Sequence, residues 1–188
     1  MDDKAALALA RAAIAHGLGR GAHPAPSPAA AGLDEERGVF VTLRIGGELR
    51  GCIGSIEPDG PLGELIPENA RAAAFEDPRF EPLTPEELDE IEIELSILST
   101  PEPMPSDPEH LRKNVKIGKH GLIVAGPSRR GILLPQVATE NKMSVAEFLG
   151  ATCWKAGLPH GSWQVMPERL QWWRFTVRIV VESGRARA

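Results

Sequence analysis

No apolar run in this 188-residue chain approaches the ~20 residues that a membrane-spanning helix needs. The opening residues, MDDKAALALARAAIAHGLG, start with two aspartates and interrupt their apolar positions with Arg11 and His16. A secretory signal needs a positive start and an unbroken apolar segment, so none is expected. Cysteine is scarce: Cys52 and Cys153 stand alone. Two distant cysteines make no disulfide framework, and the expected setting is a reducing cytoplasm. An excess of basic residues is also missing. Twenty-one Lys and Arg stand against 26 Asp and Glu, a net charge of −5, and no long Lys/Arg run occurs. This argues against broad electrostatic attachment to nucleic acid or to an anionic membrane.

Most signatures of site chemistry are absent as well. The five histidines and two cysteines lack zinc-ligand spacing, so no metal is expected. No Gly-rich turn leads from a strand into a helix, as a phosphate-binding loop would, and no cofactor is expected. There is no Gly-x-Ser-x-Gly elbow and no internal repeat.

What remains is a pattern of short elements. Leu7, Ala10, Ile14 and Leu18 recur at helical spacing and predict a helix over 3–18. The segment GAHPAPSPAAAG (21–32) reads as a surface loop. Val39, Val41, Leu43 and Ile45 alternate with Phe40, Thr42 and Arg44, and Gly46-Gly47 then turns the chain into ELRGCIGSI. The spacing predicts an antiparallel hairpin of 39–45 with 48–56. Its parity places Leu49, Gly51 and Ile53 on one face and Arg50, Cys52 and Gly54 on the other.

A helix is expected over about 61–76, with Pro67 kinking it or starting its second part. Thr84, Pro85 and Glu87 have the order of a capping box, and Ile91, Ile93, Leu95 and Ile97 predict a strand over 90–98. PEPMPSDPEH reads as a connector. Short strands are expected near 121–126 and 131–134, with a turn at Gly126-Pro127-Ser128 between them. A helix should run from Ser144 to about Gly157. A last strand over 172–182 should carry Phe175, Val177, Ile179 and Val181 on one face. The irregular order of strands and helices indicates an α+β fold with an antiparallel β-sheet flanked by helices. At this length one domain over 1–188 is expected, with a polar tail at 182–188.

The candidate chemistry centres on Cys52. Glycines beside a strand cysteine suggest a bulge or a close backbone approach, and a bulge can re-aim a side chain. Arg50 nearby would favour a thiolate, the nucleophilic form of cysteine. The competing reading is inert packing, common for free cysteine. His120, between Lys119 and Gly121 at a strand entrance, has the chemistry of a general acid or base. In Asp77-Pro78-Arg79-Phe80, Pro78 stops a helix, Phe80 anchors the chain, and Asp77 and Arg79 are placed to pair or to hold a ligand. Cys153 falls on a helical stripe with Phe148, Leu149 and Ala156 and reads as core.

LRGCIGSIEP, ENARAAAFEDPRFEPLTPEEL, GKHGLIV, LLPQV and CWKAGLP occur in this order, and the chain resembles the AMMECR domain family from about residue 4 to residue 181. Met143 and Pro67 depart from the pattern. In prokaryotes the likeness is to AmmeMemoRadiSam system protein A. The resemblance implies an α+β fold with a larger and a smaller subdomain. It also implies a cytoplasmic protein associated with a Memo-type protein and a radical SAM enzyme. No established activity comes with it. The expectation is an accessory enzyme or substrate-handling subunit. In it Cys52 is the nucleophile, His120 transfers protons, and Arg50, Gly51, Gly54 and Arg79 meet the substrate. The alternative is an adaptor that presents the LRGCIG hairpin to a partner protein.

Overall fold

The structure, a computed structural model, describes residues 1–25, 30–126 and 129–182. The expected loop at 21–32, the turn at Gly126-Pro127-Ser128 and the polar tail each lie partly or mainly outside the described residues. The chain divides into two units, residues 1–98 with 178 onward, and residues 99–177.

In the first unit, helix α1 (Asp3–Gly17) is started by Asp2, whose carboxylate accepts from the N–H groups of Lys4 and Ala5. Strands β1 (Val39–Ile45) and β2 (Glu48–Ser55) form the expected antiparallel hairpin. Gly46 and Gly47 have φ of 60° and 89°, a turn conformation that glycine adopts without a Cβ penalty. Helix α2 (Leu62–Phe75) runs through Pro67, which lacks the N–H to bond the carbonyl of Gly63. Strand β3 (Ile91–Leu98) pairs antiparallel with β1, and β8 (Val177–Val181) completes a sheet of order β2-β1-β3-β8. Val39, Val41 and Leu43, the alternate isoleucines of β3, and the apolar stripes of α1 and α2 form one buried core. Each such aliphatic side chain contributes about 1.5–3 kcal/mol on full burial.

The second unit holds a wholly antiparallel sheet of order β4-β7-β5-β6, made of β4 (Glu102–Met104), β5 (Gly121–Ala125), β6 (Arg130–Leu133) and β7 (Gln171–Phe175). Helices α3 (Pro108–Asn114), α4 (Pro135–Glu140), α5 (Val145–Lys155) and α6 (Ser162–Val165) belong to it. The α5 helix begins at Ser144 with the full capping box to Glu147. Phe148, Leu149, Cys153, Trp163 and Trp172 lie in a second core.

The fold is therefore α+β with antiparallel sheets, one in each unit. Three local expectations are corrected. The last strand is two strands, because Thr176 interrupts it: its N–H donates to Ser99 Oγ and its carbonyl accepts from Ser99 N–H. Beyond that break Val180 is the buried residue, while Ile179 and Val181 are exposed. The connector at 101–110 contains β4 and the start of α3, whose cap is Asp107 followed by Pro108. The segment after Thr84 forms only a short 3₁₀ turn (Glu87–Asp89), although Glu87 Oε2 does accept from Thr84 N–H at 2.8 Å. Among the described residues no helix is long and apolar enough to cross a membrane.

Candidate functional site

Strand β2 lies at the edge of the first sheet, and its register against β1 decides where Cys52 points. From the turn, Ile45 faces Glu48 and Arg44 faces Leu49, but Leu43 then faces Gly51. Arg50 is thus an extra residue, a β-bulge. Without it Cys52 would face Val41 on the core side. With it Cys52 faces Thr42, on the sheet's other side. The bulge also separates Leu49 from Gly51 and Ile53, the residues strict alternation groups it with: Leu49 pairs with Arg44 and is exposed, while Gly51 and Ile53 pair with Leu43 and Val41.

Gly51 and Gly54 have packing reasons for lacking a side chain. A Cβ at Gly51 would lie 2.1 Å from the carbonyl oxygen of Ala73 on α2, and one at Gly54 would lie 2.4 Å from the carbonyl oxygen of Val39. The space beside each is filled by the protein's own backbone.

The thiol of Cys52 is half-buried and accepts a hydrogen bond from Thr42 Oγ1 at 3.4 Å. Its backbone groups face off the open edge of β2. The N–H donates to Asp77 Oδ2 at 2.9 Å, and the carbonyl accepts from Arg79 Nη2 at 3.1 Å. Asp77 and Arg79 are themselves joined at 2.6 Å and 2.9 Å. The pair thus gives Cys52 an acceptor and a donor where a neighbouring strand would, and it caps the edge against strand addition at this point.

Asp77 follows the end of α2 and its carboxylate is buried. The Arg79 guanidinium holds it well below the usual carboxylate range. Burial opposes this, and the N–H groups of Cys52 and Arg79 add to the lowering. Asp77 in turn raises Arg79, as does the nearby Cys52 side chain to a smaller degree. Arg79 is 54% exposed, so its charge is open to solvent while its fork is held.

Arg50 works elsewhere. It makes a bidentate pair with Glu87, at 2.7 Å and 3.0 Å, and donates to the carbonyls of Glu81 and Pro82. It ties down the loop after Phe80, and the cation closest in role to Cys52 is Arg79. His120 belongs to the second unit. Its ring is buried and accepts from Lys116 N–H through Nδ1 at 3.2 Å. It also hydrogen-bonds the backbone of Asn114. Burial, with Arg174, Lys119 and Lys116 around it, lowers its pKa from the ordinary histidine value.

The residue that sequence reasoning missed is Thr42. A hairpin counted straight from Gly46-Gly47 pairs Cys52 with Val41, so only a bulge placed at Arg50 would have found it. Among the described residues no group of three or more His, Cys, Asp or Glu is arranged to hold a metal ion.

Two antiparallel four-stranded sheets with six helices among the described residues define the class, an α+β protein. The chain belongs to the AMMECR1 family, whose sequence model matches residues 7–180. Curated relatives include a Methanosarcina mazei protein, 46% identical over 86% of this chain and 83% of its own length. Another, from Thermoplasma acidophilum, is 44% identical over 92% of this chain and 84% of its own. A crystal structure of an uncharacterised protein from Pyrococcus horikoshii superposes with a TM-score of 0.82 at 40% identity. That match covers 95% of this chain and 90% of that one.

Proposed function

We propose that this AMMECR1-family protein is a thiol-centred accessory enzyme or substrate-handling subunit, in which Cys52 is the nucleophile or covalent carrier. The observation that carries the reading is the fixing of one partly buried cysteine by three groups: Thr42 at sulfur, Asp77 at its N–H and Arg79 at its carbonyl. The two backbone bonds hold the strand position that carries the thiol, and the Thr42 hydroxyl is the group that meets the sulfur itself. Thr42 donates to the sulfur and fixes its position on the outer face of the hairpin. Arg79 supplies an exposed positive charge for an anionic substrate group. Gly51 and Gly54 set the strand's fit, and Arg50 orders the adjoining loop. The Memo-type protein and the radical SAM enzyme that the family resemblance implies are the partners in this reading. The adaptor reading loses ground because the edge of β2 at Cys52 is already capped by the chain's own side chains.

The test is intact-mass analysis of the protein co-expressed with a Memo-type protein and a radical SAM enzyme from one organism. A covalent adduct on Cys52, lost in Cys52→Ser and reduced in Arg79→Ala, is the expected result. Absence of any adduct, with unchanged pathway output from the Cys52→Ser protein, would remove the thiol from the function.

A further inference from the structure

The second unit carries a cleft of about 500 Å³ that the thiol chemistry does not use. Thr100, Glu102, Lys119, His120, Arg174 and Thr176 are among its lining residues. We propose that this cleft binds a small oxyanion, a phosphate or carboxylate group, between Lys119 and Arg174.

The charge balance supports this. Lys119 and Arg174 line the cleft with the single carboxylate of Glu102, and Lys116 adds positive charge near the buried His120 ring. The lining is therefore net positive in a chain whose net charge is −5. The imidazole adds no acceptor that would repel an anion's oxygens. Its Nδ1 is occupied by Lys116 N–H, and its other hydrogen bond runs to the backbone of Asn114.

Arg174 is held in place, with its Nη1 donating to the carbonyl of Asn114 at 3.5 Å. Its Nε and Nη2 each lie 3.0 Å from Glu102 Oε2, so its fork shares one carboxylate oxygen rather than two. Glu102 is 66% exposed. Exposed pairs of this kind are weak, and an oxyanion can compete for the same two donors in bidentate geometry. The strand end that carries Thr176 is fixed by its hydrogen bonds with Ser99, so one wall is set before a ligand arrives.

The experiment follows the His120 ring by NMR in the full chain, titrating inorganic phosphate or malonate against chloride at constant ionic strength. The expected result is a saturable shift with one or both oxyanions and none with chloride. The apparent pKa of His120 should rise at saturation, because a bound anion offsets the three cations. Lys119→Ala, at an exposed site that leaves the fold intact, should weaken binding roughly tenfold, the loss expected for one charged hydrogen bond. Saturation by phosphate alone assigns a phosphoryl ligand, and by malonate alone a carboxylate. A response equal to that of chloride, or binding unchanged in both Lys119→Ala and Arg174→Lys, overturns the proposal.

Discussion

The hydroxyl of Thr42 lies 3.4 Å from the sulfur of Cys52, directly across the β1–β2 pair, and donates to it. The contact exists because Arg50 bulges out and shifts the register by one residue. Thr42→Val keeps the side-chain shape and removes the donor. Native alkylation of Cys52 by iodoacetamide should then slow severalfold, while stability changes by about 1 kcal/mol, the net worth of one hydrogen bond. An unchanged alkylation rate in a folded Thr42→Val protein would leave the hydroxyl without a role at sulfur.

Asp77 should set part of the acid sensitivity of the first unit. Its folded-state pKa lies below the unfolded value, so the stability it adds is present above the unfolded aspartate pKa of about 3.9. That contribution is lost as pH falls from about 5 toward 3 and below. Asp77→Asn should cost about 1–3 kcal/mol at neutral pH, through the lost charge-assisted bonds to Arg79 and the Cys52 N–H. It should also flatten the decline on acidification. Urea unfolding across this pH range measures both. A variant with the parent's full acid slope would show that another carboxylate governs it.

Gly51→Ala should destabilise the protein. The new methyl would meet the Ala73 carbonyl at 2.1 Å, and the obstacle is helix backbone rather than a side chain that can turn away. Overpacking of this kind costs about 1–3 kcal/mol or more, read as a lowered thermal midpoint. Gly47, with open space beside it but a positive φ, should show a smaller loss on substitution to Ala.

Much of this architecture is legible in the sequence because several elements state their period and their ends locally. The hairpin announces itself through Val39, Val41, Leu43 and the Gly46-Gly47 turn, and α5 through Ser144 and Glu147. The C-terminal strand misleads because its alternation runs on through Thr176, while the chain leaves one sheet there and joins the other. For the site, Cys52 and Arg79 stand out locally, but their relation does not. It depends on one unpaired residue, Arg50, and on hydrogen bonds between positions 25 and 27 residues apart. The same bulge explains why Arg50 and Cys52, neighbours in the motif, serve different partners.

The two cysteines should differ sharply in reactivity. Cys153 is fully buried on α5 among Phe148, Leu149 and Trp163, and burial pushes its thiol up to about 11. A thiol held there is almost wholly protonated at neutral pH, and reagents reach it only when the second unit opens. Cys52 is only partly buried, at a sheet edge. Native iodoacetamide labelling followed by peptide mass analysis should therefore modify Cys52 first. Cys153 should react at a rate set by unfolding and rising with urea. Cys153→Ser would place a more polar hydroxyl in that core and should lower stability by about 1–3 kcal/mol, with labelling of Cys52 unchanged. Faster labelling of Cys153 than of Cys52 under native conditions would reverse the roles assigned to them.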